Sequence, residues 1–396
     1  MSDRWHVITG EYPPQPGGVS DYSQVLVDRL GAEGDDVHVW TAASDGSRRS
    51  ASSDIAEGAT VHRMRRGFRA GSLGELTSGI QRADGAAPLL VQYVPQAFGY
   101  RGMNVLFCMW LARRRQPVWT MFHEVIFPRM PRQPARHRLL AAVTRIMAAV
   151  VARSSERVFV STPAWGEILR SLAPGAPAAE WLPVPSTIAR CGERDDAVAI
   201  GRRYGGPGRR VVGHFGSRGP LIADQLSATI PALLERSPDA SMVLLGDDGA
   251  ALRRRLVVAA PTLAPRLWAT GPLTARDVSL HLLACDLMLQ PFEDGVTTRR
   301  TSVMAALAHG VPTVTTSGRL TEPLWRASGA VELAPAGDPA ALATVAADLL
   351  AEPRRRERLG VAGRAVYDEL FDVRHTVAAL RRRSDRTLQV VGAQAG

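Results

Sequence analysis

Short apolar runs recur along the chain at intervals that leave room for a helix between them. "WHVITG" (5–10) reads as a strand, "EYPPQPGGVSD" (11–21) as a Gly/Pro loop, "YSQVLVDRLGAEG" (22–34) as an amphipathic helix closing on glycine, and "DVHVWTA" (36–42) as the next strand. A strand–helix–strand opening of this kind predicts a parallel sheet. Further strands are expected at 88–94, 117–123 and 157–162. The pattern breaks at 181–210, a stretch rich in proline, glycine and charge, and restarts with "VVGHFG" (211–216). Strands then follow at 241–248, 267–273, 286–292, 311–316 and 330–335. The expectation is an α/β protein of two doubly wound Rossmann-like domains, residues 1–190 and 191–375, with a C-terminal tail, 376–396, free to pack back toward the first domain. At 396 residues the chain suits two such domains. Ligands of open α/β sheets lie beyond the carboxyl ends of the strands, so a central cleft faced by both domains is the expected binding place.

Composition narrows the chemistry. Hydrophobic residues make up 45% and charged residues 22%, ordinary for a globular protein. The net charge is +10, and all 48 cations are arginine. With no lysine, Schiff-base chemistry and the phosphate-cradling GKS/T loop are excluded. Any phosphate must be held by guanidinium, backbone N–H or a helix end. Nucleic acid is disfavoured as a partner, because the arginines read as scattered and no reader motif accompanies them; an anionic small substrate or a membrane surface explains the charge as well. Residues 129–157, basic and then apolar, read in two ways: a helix lying on anionic lipid, or a buried helix of the first domain with solvated arginine ends. No apolar run reaches the ~20 residues of a bilayer span, and the chain runs from "MSDRWHVITG" straight into a strand. A cytoplasmic location is expected, with peripheral contact at the inner face of the membrane left open. Cys108, Cys191 and Cys285 are far apart, suggesting neither disulfide nor zinc, and are expected to be buried, inert thiols.

Loops that follow strands carry the candidate residues. Gly17 and Gly18 let backbone approach a ligand at the start of the first helix. His123 and Glu124 end the strand 117–123, where a histidine can hydrogen-bond a substrate or stabilise developing charge. Gly216, Ser217 and Arg218 form the loop after the second domain's first strand, and a guanidinium there can bind two phosphate oxygens. In "QPFEDGVTTRRTSVMAALAHGVPTV" (290–314), Gly295 permits a tight turn, Thr297 or Thr298 can cap the next helix, and Arg299 and Arg300 then fall in its first turn. Cations at that end cost ~0.3–1 kcal/mol each when exposed; a docked diphosphate reverses the sign. One arginine has an alternative partner in Glu293 or Asp294.

Three segments together resemble the retaining glycosyltransferases of the GT-B fold, most nearly glycosyltransferase family 4, over nearly the whole chain. They are "TGEYPPQPGGVSDYSQVLVDRLGAEGDDVHVWT" (9–41), "GPLTARDVSLHLLACDLMLQPFEDG" (271–295) and "MAALAHGVPTVTT" (304–316). The resemblance implies that Gly17 and Gly18 approach donor phosphate and acceptor, that His123 lines the sugar pocket beside Glu124, and that Arg218 stands at the diphosphate-binding basic position. It implies that Asp294, Gly295, Val296, Thr297 and Thr298 contact the donor, a nucleoside diphosphate sugar, UDP- or GDP-linked, with a hydroxyl acceptor, no further cofactor and no metal. The family's pair of glutamates, separated by seven residues, is absent: Thr301 stands eight after Glu293, and Ala305 takes the second glutamate's place. Its basic pair is also incomplete, since His214 and Arg218 are what this chain offers, so Arg299 and Arg300 are expected to take over part of the phosphate charge. The expected catalytic groups are His123, Arg218 and Arg300. The alternatives are a sugar-nucleotide epimerase on the same fold and a noncatalytic nucleotide-sugar-binding protein.

Overall fold

The computed structural model describes residues 3–43, 53–56, 58–206 and 208–382. They fall into two units, one made of the chain up to Pro183 with the segment from Val373, the other of Val184–Asp372. The crossing into the second unit thus comes at Pro183, seven residues before the expected 190, and the chain leaves it at Asp372, where 375 was expected.

In the first unit, strands β1 (Arg4–Thr9), β2 (Asp36–Ala42), β3 (Ser53–Ala56), β4 (Ala59–Met64), β5 (Leu89–Tyr93), β6 (Val118–Phe122), β7 (Arg157–Val160) and β8 (Ala179–Trp181) form one sheet. Their order is β3-β4-β2-β1-β5-β6-β7-β8, parallel throughout except where β3 runs against β4. Strands β3, β4 and β8 and the helix Pro163–Leu172 are additions to the expected set. The apolar runs are buried on both faces, as in Leu89–Tyr93, where all five residues are inaccessible, because crossover helices cover both sides of a parallel sheet. Strand order advances from β1 toward β2 on one side and from β5 to β8 on the other. Right-handed crossovers then place helix Gly18–Ala32 on one face and helices Val105–Leu111 and Ala135–Ser154 on the opposite one. The returning helix Val373–Arg381 lies against Gly18–Ala32. Arg381 bridges Glu33 at 2.5 Å and the buried Asp35 at 2.8 Å, and Arg157 donates to the Leu380 and Arg382 carbonyls at 3.3 and 3.0 Å. The residues beyond Arg382, most of the expected tail, lie outside the described residues.

The second unit carries β9 (Arg210–Phe215), β10 (Ala240–Leu245), β11 (Leu267–Ala269), β12 (Leu287–Gln290), β13 (Thr313–Ser317) and β14 (Glu332–Pro335), all parallel, in the order β11-β10-β9-β12-β13-β14. The order reverses between β9 and β12, so the loops leaving those strands diverge and open a crevice at their carboxyl ends. In the first unit the same reversal falls between β1 and β5. Among the described residues no helix is long and apolar enough to cross a membrane.

Candidate functional site

The reversal point of the second unit collects buried polar atoms. His214, at the end of β9, hydrogen-bonds the Leu289 carbonyl through Nδ1 at 2.8 Å, while its Nε2 is buried without a partner. Gln290, at the end of β12, donates to the Phe215 carbonyl at 3.0 Å and leaves Oε1 buried and unmatched. Arg218 is 8% exposed, so it is not a solvated loop arginine. One guanidinium nitrogen donates to the Leu245 carbonyl, Nε is buried and unmatched, and among the described residues no carboxylate stands within ion-pair distance. Burial depresses its basicity, with Asp248 and Asp247 pulling the other way. Gly216 sits just above Ser302, and Ser217 is exposed. A buried cation and several unmatched donors and acceptors at one crevice are costly unless a ligand completes them.

The loop after β12 is fixed by close backbone packing. Gly295 has φ +86°, and a Cβ there would fall 2.1 Å from Thr321 Oγ1 and 2.2 Å from the Gly318 nitrogen. Val296 donates to the Thr316 carbonyl at 2.7 Å, and Asp294 pairs with Arg319 at 2.8 Å. Thr297 is fully buried with an unmatched hydroxyl. Neither threonine caps the next helix. Thr298 donates its N–H (3.1 Å) and hydroxyl (2.9 Å) to Oε1 of the buried Glu322, and its carbonyl accepts from Val184 N. The helix therefore starts only at Thr301, with Arg300 as the N-cap residue, its carbonyl accepting from Val303 and Met304. The two arginines precede the first turn instead of occupying it. Arg300 lays its guanidinium over the buried Phe292, 4.3 Å from the ring centre, and both arginines are half-buried.

Glu322, which sequence reasoning missed, is the carboxylate that anchors this loop. Its other oxygen accepts from Trp325 Nε1 at 2.8 Å. A Gln there offers one acceptor where three donors converge. Glu322→Gln is expected to destabilise the second unit by about 1–3 kcal/mol and to weaken ligand binding at the loop; urea unfolding and nucleotide titration check both.

The first unit's reversal point has a different character. Gly17 lies so close to Glu11 that a Cβ would stand 2.3 Å from Oε2, whereas Gly18, the first helical residue, has open space around it. Burial, then Glu124, then Asp21, raise the Glu11 pKa, and burial raises that of Asp21. Three carboxylates therefore frame the glycine loop. His123 is 7% exposed, touches the Tyr22 ring edge-on at 4.6 Å, and donates from Nε2 to Gln92 Oε1 at 2.9 Å. Glu124 is half-buried beside it.

Burial pushes the pKa of His123 down to about 3, burial and then Arg218 push His214 to about 3, and burial lowers His309 to about 4. His214 thus supplies no positive charge, contrary to its place in the expected basic pair. An unfolded chain protonates these rings near pH 6.5, so between that value and about pH 3 the unfolded state holds more protons. Stability must fall as the pH drops through about 6.5 and keep falling toward 3. The urea midpoint is expected to be lower at pH 5 than at pH 7.5; an unchanged midpoint would contradict neutral burial of the histidines.

Of the cysteines, Cys108 and Cys285 are buried, with thiols pushed up by burial, Cys108 to about 12, while Cys191 is exposed beside Ser279, against expectation.

The profile of the family "Glycosyl transferases group 1" matches residues 210–352, from β9 through helix Pro339–Ala351. No curated protein sequence matches the chain. Among solved structures, sucrose-phosphate synthase from Thermosynechococcus elongatus superposes with TM-score 0.70 at 17% identity, covering 99% of this chain and 100% of that one. Anabaena HepE in complex with UDP and glucose gives 0.69 at 15%, covering 96% and 99%. WaaG, a glycosyltransferase of lipopolysaccharide biosynthesis, gives 0.66 at 15%, covering 96% and 100%. At these identities the likeness is one of fold. The stretch 210–352 thus matches the glycosyl transferases of group 1, and the chain as a whole shares the fold of these solved structures.

Proposed function

We propose that the chain moves a sugar from a nucleoside diphosphate sugar, UDP- or GDP-linked, to an acceptor hydroxyl with retention at the anomeric carbon. The observation that carries this reading is Arg218, buried and without an ion pair among the described residues, beside the unmatched Thr297 hydroxyl, His214 Nε2 and Gln290 Oε1 at the β9/β12 reversal. A diphosphate supplies the counter-charge and acceptors that Arg218 and the Thr297 hydroxyl lack, while His214 Nε2 and Gln290 Oε1, both acceptors, suit hydroxyl donors of the sugar nucleotide. HepE, on the same fold, has been solved with UDP-glucose.

In this reading Arg218, Arg299 and Arg300 and the backbone of the Asp294–Thr298 loop stabilise charge on the departing β-phosphate. The bond from the anomeric carbon to the phosphate oxygen breaks, and the acceptor oxygen bonds the same face. The acceptor's proton passes to the departing phosphate oxygen, so no strong protein base is required. Gly216 and Ser217 line the phosphate side. In the first unit, Gly17, Gly18, His123 and Glu124 receive the acceptor: carboxylates around the glycine loop repel phosphate but accept hydrogen bonds from hydroxyls, and a neutral His123 offers Nδ1 as an acceptor.

Nucleoside diphosphates screened by thermal shift should raise the melting temperature, since a ligand of the folded state stabilises by mass action. With the matching sugar nucleotide, acceptor-dependent release of the diphosphate and an unchanged anomeric configuration by NMR are expected. Binding without release would favour a noncatalytic nucleotide-sugar-binding protein. Release of an isomerised sugar nucleotide without acceptor would favour an epimerase.

A further inference from the structure

Two surface properties of the first unit coincide on one stretch of chain. Residues 100–157 hold eleven arginines against Glu124 and Glu156, a net of +9 out of +10 for all 396 residues. The excess positive charge arises here because the stretch has so few acids. Large exposed apolar side chains concentrate on the same stretch: Tyr100, Leu106, Met109, Met130, Leu139 and Ile146 are 37–62% exposed.

The helices explain why these side chains face outward. Ala135–Ser154 buries Ala141, Thr144, Met147, Ala148 and Val151 against the sheet. Leu139 and Ile146, two turns apart, lie on the opposite side of the helix wheel and point away from the core at 57% and 58% exposure. The neighbouring helix Val105–Leu111 buries Phe107, Cys108 and Trp110 and leaves Leu106 and Met109 outside. The two helices pack together, and the turn at Gly102 abuts Leu140. Arg132, Arg136 and Arg138, all exposed, stand at the start of the longer helix.

We infer that this face of helices Val105–Leu111 and Ala135–Ser154 docks on an anionic lipid bilayer, its leucine, isoleucine and methionine side chains entering the headgroup–acyl boundary and its arginines meeting lipid phosphates. Apolar side chains ringed by guanidinium groups suit the interface of an anionic membrane, where both are satisfied at once. A second copy of the chain would set the same exposed arginines, Arg132, Arg136 and Arg138 among them, against each other. Nucleic acid satisfies the arginines but leaves aliphatic side chains in water, and the stretch offers a single exposed aromatic ring, Tyr100, for stacking bases. No described helix crosses a membrane, so the contact is peripheral. The inference stands apart from the transferase reading and is tested without any sugar nucleotide.

The test is co-sedimentation of the full chain with vesicles of phosphatidylglycerol and phosphatidylcholine, and with phosphatidylcholine alone, in 50 and 300 mM salt. The anionic vesicles are expected to bind and the neutral ones not. Two independent variants, Leu139→Ser with Ile146→Ser and Leu106→Ser with Met109→Ser, should each lower vesicle affinity about tenfold at unchanged melting temperature. Arg132→Ala with Arg136→Ala and Arg138→Ala should flatten the salt dependence. Val258→Ser, 83% exposed in the second unit, should leave binding unchanged. No binding to anionic vesicles at 50 mM salt overturns the inference. So does binding that survives both apolar variants, or duplex DNA binding tighter than vesicle binding and indifferent to them, which would assign the face to nucleic acid.

Discussion

Arg218→Leu should abolish the melting-temperature rise given by a nucleoside diphosphate and lower kcat/KM on the order of 10²–10³-fold, while leaving the unliganded protein as stable as before or more so. The two effects point in opposite directions for one reason. Arg218 is a buried cation that, among the described residues, has no ion pair, and holding such a charge out of water is unfavourable until an anion arrives. Leucine removes that cost. The Leu245 carbonyl loses its guanidinium donor, a loss of about 1 kcal/mol, which the relieved charge offsets. A merely structural arginine would behave the other way: the apo melting temperature would collapse and the nucleotide-induced shift in whatever folded would persist. That pattern would remove Arg218 from the site.

The second large effect is expected at Gly295. Gly295→Ala places a methyl group into Thr321 Oγ1 and the Gly318 backbone while imposing a φ of +86° on an L side chain. The facing chain cannot yield, because Gly318 is itself packed on the Asp294 carbonyl. The loop 294–298 must move, with a loss of about 3 kcal/mol or more and with activity falling below detection. Gly18→Ala provides the contrast: open space surrounds that position, in the first turn of its helix, and stability should change by less than about 0.5 kcal/mol. Chemical denaturation of both variants decides the matter, and equal costs at the two positions would contradict the packing described.

The sequence made the doubly wound arrangement legible because parallel strands buried on both faces, such as Ala240–Leu245, stand out as unbroken apolar runs. Strands of three or four residues, β3 and β8 among them, do not, since so short a run carries no period. The onset of helix Thr301–Ala308 was misplaced for a tertiary reason. Thr298 has the chemistry of a cap, but a carboxylate 24 residues away takes both its N–H and its hydroxyl, and local signals carry no trace of Glu322. Arg218 could be nominated from its loop, yet whether it is solvated or buried depends on β10, whose Leu245 carbonyl it reaches. His214 was read as a basic group because its letter allows charge; burial at the end of β9 removes it. The arginines read as scattered along the sequence; the shortage of acids across residues 100–157 gains meaning only from the outward-facing leucines and methionines of the folded helices.

The central claim is that the β9/β12 reversal is shaped to grip a diphosphate, and calorimetric titration tests it most directly. For the base that the chain prefers, the nucleoside diphosphate should bind one to one and about 100-fold more tightly than the nucleoside lacking phosphates, as two or more charge-assisted contacts require. Equal affinity for the two, or heat from neither across the common bases, would contradict the account.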